Sequence, residues 1–197
     1  MLRRDAQANR VRLLDAAERV FAEHGTDASM EEIARTADIA PATLYRRFGT
    51  KQALVREVLA TFFGRLVDLA DQALAEPPDR CLDRCVELVG YELAARRGFM
   101  HGMWGELAPR ELVAELEHRI ARLLARAQAG GGIDPHVTVG DIAALVWALR
   151  GIIQTSEHVA PGAWRRHAAY ALAGFRAGTP QDTNPLTPEQ VARSVAS

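Results

Sequence analysis

Five polar or basic side chains in one short stretch of the chain have the types and spacing that suit contacts with nucleic acid. They are Thr43, Tyr45, Arg46, Arg47 and Lys51. Arginine and lysine neutralise backbone phosphates, and hydroxyl groups form hydrogen bonds with phosphates or with the edges of bases. Lys51 is the only lysine among the 24 basic residues of the chain. We refer to Arg46, Arg47 and Lys51, which fall within six residues, as the basic cluster, and this cluster predicts a DNA-binding surface.

The segment around the basic cluster has the dimensions of a helix-turn-helix. Two helices of about eight residues are predicted at 30–37 and 41–48, with a short turn between them. Ser29 and Glu32 have the spacing of a capping box, which starts the first helix. Pro41 suits the first position of the second helix, because its missing N–H would be unpaired there in any case.

The start of the second predicted helix is suited to a close approach to DNA. Recognition helices read bases with side chains near their N-terminus, where this sequence has the small residues Pro41 and Ala42. Ser29, at the start of the first helix of the helix-turn-helix, is a further candidate DNA-binding residue. The candidate DNA-binding residues are therefore Ser29, Pro41, Ala42, Thr43, Tyr45, Arg46, Arg47 and Lys51. The alternative interpretation is an ordinary solvated helix face.

The rest of the sequence predicts further helices and no sheet. Apolar residues recur at steps of three and four in almost every segment, and no alternating pattern typical of strands occurs. Beyond the helix-turn-helix, a first helix is predicted to end at Gly25, and others to cover 51–75, 79–97, 109–127, 138–157 and 161–177. The predicted fold class is all-α, with about nine helices.

Helix lengths and breaks divide the chain into three predicted parts. Residues 1–50 form the helix-turn-helix domain, and residues 51–178 form a larger helical domain. Residues 179–197 are predicted to be a loose tail, in which Thr187 is suited to start a short terminal helix.

Composition excludes several classes of protein. The chain has 197 residues, of which 48% are hydrophobic and 25% charged, with a formal net charge of -1. These values are typical of globular domains rather than disordered chains. The first ten residues lack the apolar stretch of a secretory signal, and the longest apolar run is too short to span a bilayer. We therefore expect a cytoplasmic protein without a membrane partner.

The sequence offers no arrangement of residues that is typical of catalysis. Nucleophile motifs, zinc-protease motifs and phosphate-binding glycine loops are all absent from it, and its histidines lack the spacing of metal ligands. Cys81 and Cys85 are four residues apart, which suits either a metal or redox role or simple core packing, and we favour packing. We predict no catalytic residues, no metal site and no cofactor.

Residues from about 8 to 56 resemble the N-terminal DNA-binding domain of the TetR family of bacterial repressors. The sequence blocks FAEHG, EEIA, TLYRRF and TKQAL follow one another at the spacing found in that family. The resemblance implies that Thr43 contacts a base edge or a phosphate, that Tyr45 bonds a phosphate, and that Lys51 contacts a second phosphate. Ala40 departs from the pattern, because many relatives have a serine cap there.

The resemblance also implies a homodimer whose C-terminal helices hold a pocket for a small molecule. Residues 124–149 resemble the C-terminal domain type called SbtR-like. The helices at 138–157 and 161–177 are the expected dimer contacts. Candidate pocket residues are Phe62, Phe63, Tyr91, Phe99, Met100, Met103, Trp104 and Trp147. For each residue taken alone we favour core packing over ligand contact, but we expect several of them together to face a cavity.

The resemblance implies a ligand-responsive transcriptional regulator, and we expect a repressor. Its expected partners are double-stranded operator DNA of palindromic sequence, a largely apolar small-molecule effector and a second copy of the chain. The first alternative is a helical small-molecule-binding protein that has lost specific DNA binding. The second is an all-α enzyme, which is disfavoured because the sequence lacks an acid–base or metal constellation.

Overall fold

The computed structural model describes residues 2–96, 107–178, 184–187, 189–191 and 194, without the side chains of residues 2–8 and Thr26. Over these residues the chain forms eight α-helices of seven or more residues, one short 3-10 helix, further helical residues at 189–191 and 194, and no strand, which confirms the all-α prediction. The helices are α1 (Leu2–His24), α2 (Met30–Thr36), α3 (Pro41–Phe48), α4 (Lys51–Leu74), α5 (Cys81–Ala95), α6 (Arg110–Ala129), α7 (Val139–Ser156) and α8 (Trp164–Ala177). None of the helices in the described part is long and apolar enough to cross a membrane.

Helices α1, α2 and α3 form a small N-terminal unit with its own buried side chains. Phe21, Ile33 and Leu44, one from each helix, are fully inaccessible to solvent. The turn between α2 and α3 passes through Asp38 at φ +55°, a left-handed conformation that aspartate tolerates. The N–H of Ile39 returns to a carbonyl of α2, so the turn fixes α3 across α2.

Helices α4 to α8 form a larger C-terminal bundle. Helix α4 packs against α5 and α6, and α7 packs against α5, α6 and α8. Thr138 and Asp141 exchange hydrogen bonds in a capping box that starts α7. Helix α8 begins at Trp164, three residues after Pro161, where the sequence predicted its start. The reason is Gly162, whose φ of +77° lies outside the right-handed helical region.

Four charged side chains connect the N-terminal unit to the C-terminal bundle. Glu18 of α1 is only 7% exposed and pairs with Arg65 of α4 and with Arg96 at the end of α5. Glu92 of α5 closes the ring, because its Oε2 lies 2.7 Å from Arg96 Nη1 and its Oε1 lies 2.9 Å from Arg65 Nε. We refer to these four residues as the ion network.

The described part of the C-terminal segment contacts the bundle, and residues 189–191 are helical after Thr187, where the sequence predicted the start of a short terminal helix. Val191 is 5% exposed, and its N–H donates to the carbonyl of Thr187 at 3.0 Å. Thr187 and Gln190 cap this turn by exchanging hydrogen bonds of 2.8 and 3.2 Å. Val191 faces an apolar surface that residues of α4, α5, α6 and α7 build. We refer to residues 184–187 and 189–191 as the C-terminal clasp.

Candidate DNA-binding surface and ligand cavity

Helix α3 has one buried face and one face directed to solvent. Leu44 is fully buried against the N-terminal unit. The six predicted contact residues on this helix comprise one half-buried side chain, Thr43, and five exposed residues, Pro41, Ala42, Tyr45, Arg46 and Arg47. Pro41 occupies the first turn, and Ala40 at the N-cap gives no side-chain hydrogen bond, so the start of α3 carries little bulk.

Tyr45 is held by a side chain of the preceding helix. Its hydroxyl donates a hydrogen bond to Glu31 Oε1 at 3.1 Å, and the residue is 43% exposed. This hydrogen bond raises the pKa of Tyr45, because it stabilises the protonated phenol beside a carboxylate. The hydroxyl therefore keeps its proton and is available to donate to a phosphate oxygen that displaces Glu31.

The two arginines of α3 have different surroundings. The guanidinium of Arg47 lies over the ring of Phe48, 5.4 Å from its centroid, in a cation–π contact. Arg46 is exposed, and within the part of the chain that the structure describes no hydrogen bond or ion pair holds it. Arg46 is consequently the side chain of the pair with the greater reach toward a groove.

Lys51 is the first residue of α4 and is half-buried. Gly49, at φ +71°, turns the chain so that α4 starts directly after α3. The hydroxyl of Thr50 accepts from the N–H of Ala53 at 3.1 Å and caps the helix. Lys51 therefore belongs to the first turn of α4, at the positive end of the helix dipole, and such a helix start favours a bound phosphate.

Ser29 takes part in the predicted capping box, which the structure confirms. Its Oγ accepts from the N–H of Glu32 at 3.1 Å, and its own N–H donates to Glu32 Oε2 at 3.0 Å. The backbone hydrogen bond from Ser29 lowers the pKa of Glu32, which holds the carboxylate ionised at the start of α2. Ser29 thus has a structural role, and its contact with DNA stays a prediction.

A cavity of about 120 Å³ lies among four helices of the C-terminal bundle. Its lining residues are Phe63, Leu66, Val89, Leu93, Val113, Leu116, Glu117, Ile120, Val139, Ile142, Ala143, Val146, Trp147, Arg150 and Val191. Among these described residues only Glu117 and Arg150 are charged. A mostly apolar wall with a few polar groups is typical of sites that bind small organic molecules.

Both charged groups in the cavity wall are partly shielded from water. Burial raises the pKa of Glu117 and lowers the pKa of Arg150, because the charged form of each is disfavoured away from water. Glu117 lies on the face of α6 that also carries Val113 and Ile120. A charged residue within an apolar stripe is a signal that the sequence interpretation missed.

Two of the predicted pocket residues, Phe63 and Trp147, line the cavity. Phe62 is fully buried and meets Phe63 edge to face, with ring centroids 5.7 Å apart, outside the lining set. Four further predictions, Phe99, Met100, Met103 and Trp104, fall outside the residues that the structure describes.

Tyr91 lies away from the cavity, which corrects its predicted placement. It is 46% exposed, and its ring meets Trp164 of α8 with centroids 5.3 Å apart. Val89 and Leu93, two residues to either side, line the cavity. A step of two residues in a helix turns the side chain to the opposite face, which is why Tyr91 packs on α8 instead.

The two cysteines are packed in the bundle. Burial raises the pKa of Cys85 to about 12 and also raises the pKa of Cys81, so both stay in the less reactive thiol form. In the described residues, no group of three histidine, cysteine, aspartate or glutamate side chains is placed to hold a metal ion.

Comparison with known sequences places the helix-turn-helix in one family. The sequence model for "Bacterial regulatory proteins, tetR family" matches residues 13–58. Among curated proteins, the HTH-type transcriptional regulator UidR of Escherichia coli K12 is 32% identical over 113 residues, which are 57% of this chain and 52% of UidR. The chain thus spans about half the length of the curated relatives that it matches.

Two solved structures are similar over a much larger part of the chain. A TetR transcriptional regulator from Streptomyces coelicolor is 31% identical, with a TM-score of 0.61 over 85% of this chain and 98% of that one. A TetR transcription regulatory protein from Mycobacterium vanbaalenii is also 31% identical, with a TM-score of 0.62 over 89% and 99% of the two chains. The similarity therefore extends beyond the helix-turn-helix into the C-terminal bundle.

Proposed function

Because the chain belongs to the TetR family of bacterial transcriptional regulators, we propose that it is a ligand-responsive repressor that binds a palindromic operator as a homodimer. The observation that carries this proposal is the continuity of α4. Lys51 begins the helix beside α3, and Phe63 and Leu66 of the same helix line the cavity. Leu66 lies about 22 Å along the axis from Lys51, at 1.5 Å per residue. One helix thus connects the DNA-binding surface to the cavity.

The proposed mechanism is a shift between two conformers of the dimer. Without effector, the two α3 helices stand at the separation of successive major grooves, about 34–36 Å. A ligand that enters the cavity displaces α4, and the ion network transmits the displacement to α1 through Glu18. The ligand must bind the conformer that cannot bind DNA more tightly, since equal affinity for both conformers shifts nothing.

The dimer contact is proposed to use the outer faces of α7 and α8. Helix α7 is apolar around most of its circumference, yet Ala144, Ala148, Gly151 and Thr155 are exposed at steps of three and four residues. Tyr170 of α8 is 60% exposed as well. Small side chains in a row allow a second helix to approach closely, and a second copy of this chain satisfies that need.

An Ala148→Arg substitution tests the dimer contact, because it places a charge in the proposed interface. Sedimentation velocity is expected to change from a dimer to a monomer, with loss of specific operator binding. Ala125→Arg makes the same change at an exposed position of α6, outside the proposed interface, and is the control that is expected to remain dimeric. A dimeric Ala148→Arg protein with full operator affinity would contradict this interface.

An Arg46→Ala substitution tests the recognition surface. Fluorescence anisotropy with a palindromic fragment from upstream of the gene is expected to show a loss of about 1–3 kcal/mol of specific binding free energy. Arg84→Ala removes an arginine from an exposed position of α5 and serves as the control, with unchanged affinity expected. If Arg46→Ala and Arg84→Ala bind the operator with equal affinity, Arg46 does not contact the DNA.

Tyr45→Phe and Lys51→Ala test the phosphate contacts. Lys51→Ala removes a charged contact with a phosphate and is expected to reduce the magnitude of the slope of log affinity against log salt by about one unit. Tyr45→Phe removes a neutral hydrogen bond and is expected to weaken binding to all sequences alike without changing that slope. Specific binding that survives both substitutions unchanged would overturn these two assignments. Weak, salt-insensitive DNA binding by the unaltered protein would instead support the alternative of a small-molecule-binding protein that no longer binds DNA specifically.

The effector is proposed to be a compact, largely apolar molecule with a polar group that faces Glu117 or Arg150. The division into residues 1–50, 51–178 and 179–197 is proposed as the functional division, and the SbtR-like subtype stays a prediction. Native mass spectrometry of the purified protein tests for a retained ligand, and addition of that ligand to the operator complex is expected to release the DNA.

A further inference from the structure

One wall of the cavity comes from outside the helical bundle. Helices α4 to α7 supply every described lining residue except Val191, which belongs to the C-terminal clasp. Val191 is 5% exposed although it follows a short segment that lies outside helices α1 to α8. An apolar side chain in such a segment stays buried only if the backbone that carries it is held in place.

Gly140 of α7 is where the clasp is held. A Cβ added at Gly140 would lie 2.3 Å from the carbonyl oxygen of Leu186 and 3.0 Å from the Leu186 Cβ. The backbone of the clasp therefore touches the backbone of α7 at a point that admits no side chain. Any residue other than glycine at position 140 would have to push the clasp away, because the closest atom is backbone rather than a flexible side chain.

The turn that follows Leu186 aims Val191 into the cavity. Thr187 and Gln190 exchange hydrogen bonds, and the N–H of Val191 donates to the Thr187 carbonyl. These bonds satisfy the first backbone donors of the turn locally. Two contacts of the described clasp with the bundle are Leu186 on Gly140 and Val191 on the cavity wall.

We propose that the C-terminal clasp is the movable wall of the ligand cavity, and that Val191 limits the size of the ligand. This inference rests on the proposed function only in taking the cavity as the effector site. Helices α4–α7 pack against one another along their lengths, whereas the clasp is a short segment whose described contacts with the bundle include Leu186 on Gly140 and Val191 in the cavity wall. Opening the clasp therefore disrupts less structure than moving one of the four helices, and it exposes the apolar interior to an incoming ligand.

The volume and the lining of the cavity indicate which class of ligand it can hold. With the clasp closed, the space of about 120 Å³ suits a molecule of about one ring or a short branched chain. Glu117 and Arg150 provide polar contacts for one substituent, and the remaining described surface is apolar. Larger ligands require either a shorter side chain at position 191 or an open clasp.

Gly140→Ala is the variant that opens the clasp, and Gly64→Ala of α4 is its matched control. Alanine favours both helices, but a Cβ at Gly64 meets nothing within 4 Å, whereas a Cβ at Gly140 displaces Leu186. The probe is 1-aminonaphthalene, a two-ring amine whose fluorescence changes in apolar surroundings. Stopped-flow uptake is expected to be about tenfold faster in Gly140→Ala, since that variant removes the burial of one valine from the barrier. Gly64→Ala is expected to match the unaltered protein.

Two further measurements separate a movable wall from a merely packed tail. Hydrogen exchange of the Val191 amide is expected to be slow in the unaltered protein and fast in Gly140→Ala. Val191→Ala keeps the clasp attached through Gly140 and enlarges the cavity. Its ratio of affinities for 1-aminonaphthalene over aniline is expected to rise about tenfold, as for other changes of one or two carbons in an apolar pocket.

Three results would each overturn the proposal of a movable wall. The first is fast hydrogen exchange of the Val191 amide in the unaltered protein, and the second is an equal rate of probe uptake in the two glycine variants. The third is an unchanged ratio of ligand affinities in Val191→Ala. Uptake of the probe by none of the proteins would overturn it together with the effector site. Operator binding is measured on the same preparations without probe. If probe uptake depends on the clasp as expected but the protein binds no operator, the proposal for the clasp is supported and the proposed function is overturned.

Discussion

The N-terminal unit and the C-terminal bundle specify their structures in different ways. In the N-terminal unit, α2 and α3 have seven and eight residues, and their ends coincide with residues suited to ending a helix. Ser29 caps α2, Pro41 begins α3, and Gly49 at φ +71° follows it. The helices of the bundle have 14 to 24 residues, and their ends do not indicate where the cavity forms.

The N-terminal unit is also more tightly packed than the C-terminal bundle. The N-terminal unit closes around Leu44 and Ile33 with full burial, whereas the bundle leaves a cavity of about 120 Å³ beside Leu66. A surface that reads DNA keeps its shape only if the side chains beneath it are tightly packed. A site that responds to a ligand needs space and an alternative arrangement. The contrast indicates that rigidity and space are each placed where the proposed function requires them.

Leu44→Ala and Leu66→Ala test this contrast with the same chemical change in each region. Leu44→Ala is expected to lower the free energy of unfolding by about 4 kcal/mol, because it leaves a void in a close-packed core. Leu66→Ala is expected to lower it by about 2 kcal/mol, since Leu66 borders an existing cavity and has fewer contacts to lose. Urea denaturation of both variants gives the two values.

The same pair of variants also separates the two activities. Leu44→Ala is expected to abolish specific operator binding, and Leu66→Ala is expected to retain it while admitting larger apolar ligands. Equal losses of stability would show that the two regions are packed alike. A greater loss for Leu66→Ala would show that the bundle is the more tightly packed region, and either result would contradict the proposed contrast.

Glu18→Gln tests the connection between the two regions. Glu18 contacts two arginines from a buried position, so its neutralisation leaves Arg65 and Arg96 with only Glu92. A loss of about 3 kcal/mol in the free energy of unfolding is expected. Glu87→Gln breaks the exposed pair with Arg84 and is the control, with a loss of about 0.5 kcal/mol or less. Equal losses would show that the ion network is no more than surface pairing.

The sequence predicts the N-terminal unit well because its signals are local. The start of α2 follows from Ser29 and Glu32, three residues apart, and the place of Leu44 beneath α3 follows from its spacing among polar neighbours. Each of these inferences depends on residues within one or two turns of helix. The exposed candidates of α3 share one solvent-facing surface for the same reason.

The cavity is harder to predict, because it depends on which faces of distant helices meet. Phe63 and Tyr91 are both aromatic residues on amphipathic helices, yet only Phe63 faces the cavity. Helical spacing from Val89 separates Tyr91 from the lining face, but the sequence does not say which face borders a void. Val191 is less predictable still, since its burial requires contacts with helices more than 40 residues away.

Ser29→Ala and Thr138→Ala compare the two capping boxes, one from each region. Each substitution is expected to lower the free energy of unfolding by about 1 kcal/mol, because each removes one side-chain acceptor from a helix N-terminus. Their effects on function are expected to differ. Ser29→Ala weakens operator binding, since α2 supports α3, and Thr138→Ala leaves operator binding unchanged in the absence of ligand. Thermal denaturation and anisotropy on the same samples check both statements, and equal effects on operator binding would contradict the division of roles.

Glu32→Gln gives the smallest expected effect and isolates the charge in the N-terminal capping box. The hydrogen bond from the Ser29 N–H lowers the pKa of Glu32 below its ordinary value of 4.5. A carboxyl group whose pKa is lower in the folded protein contributes stability above its unfolded pKa, and this contribution is lost as pH falls through the folded pKa. The unaltered protein is therefore expected to be more stable than Glu32→Gln at pH 7, with the difference shrinking below about pH 4.5. In a Ser29→Ala background the difference is expected to be smaller but still present, because the hydroxyl partner is gone while the backbone N–H still donates. A stability difference between the unaltered protein and Glu32→Gln that does not depend on pH would show that the shape of the side chain, rather than its charge, maintains the start of α2.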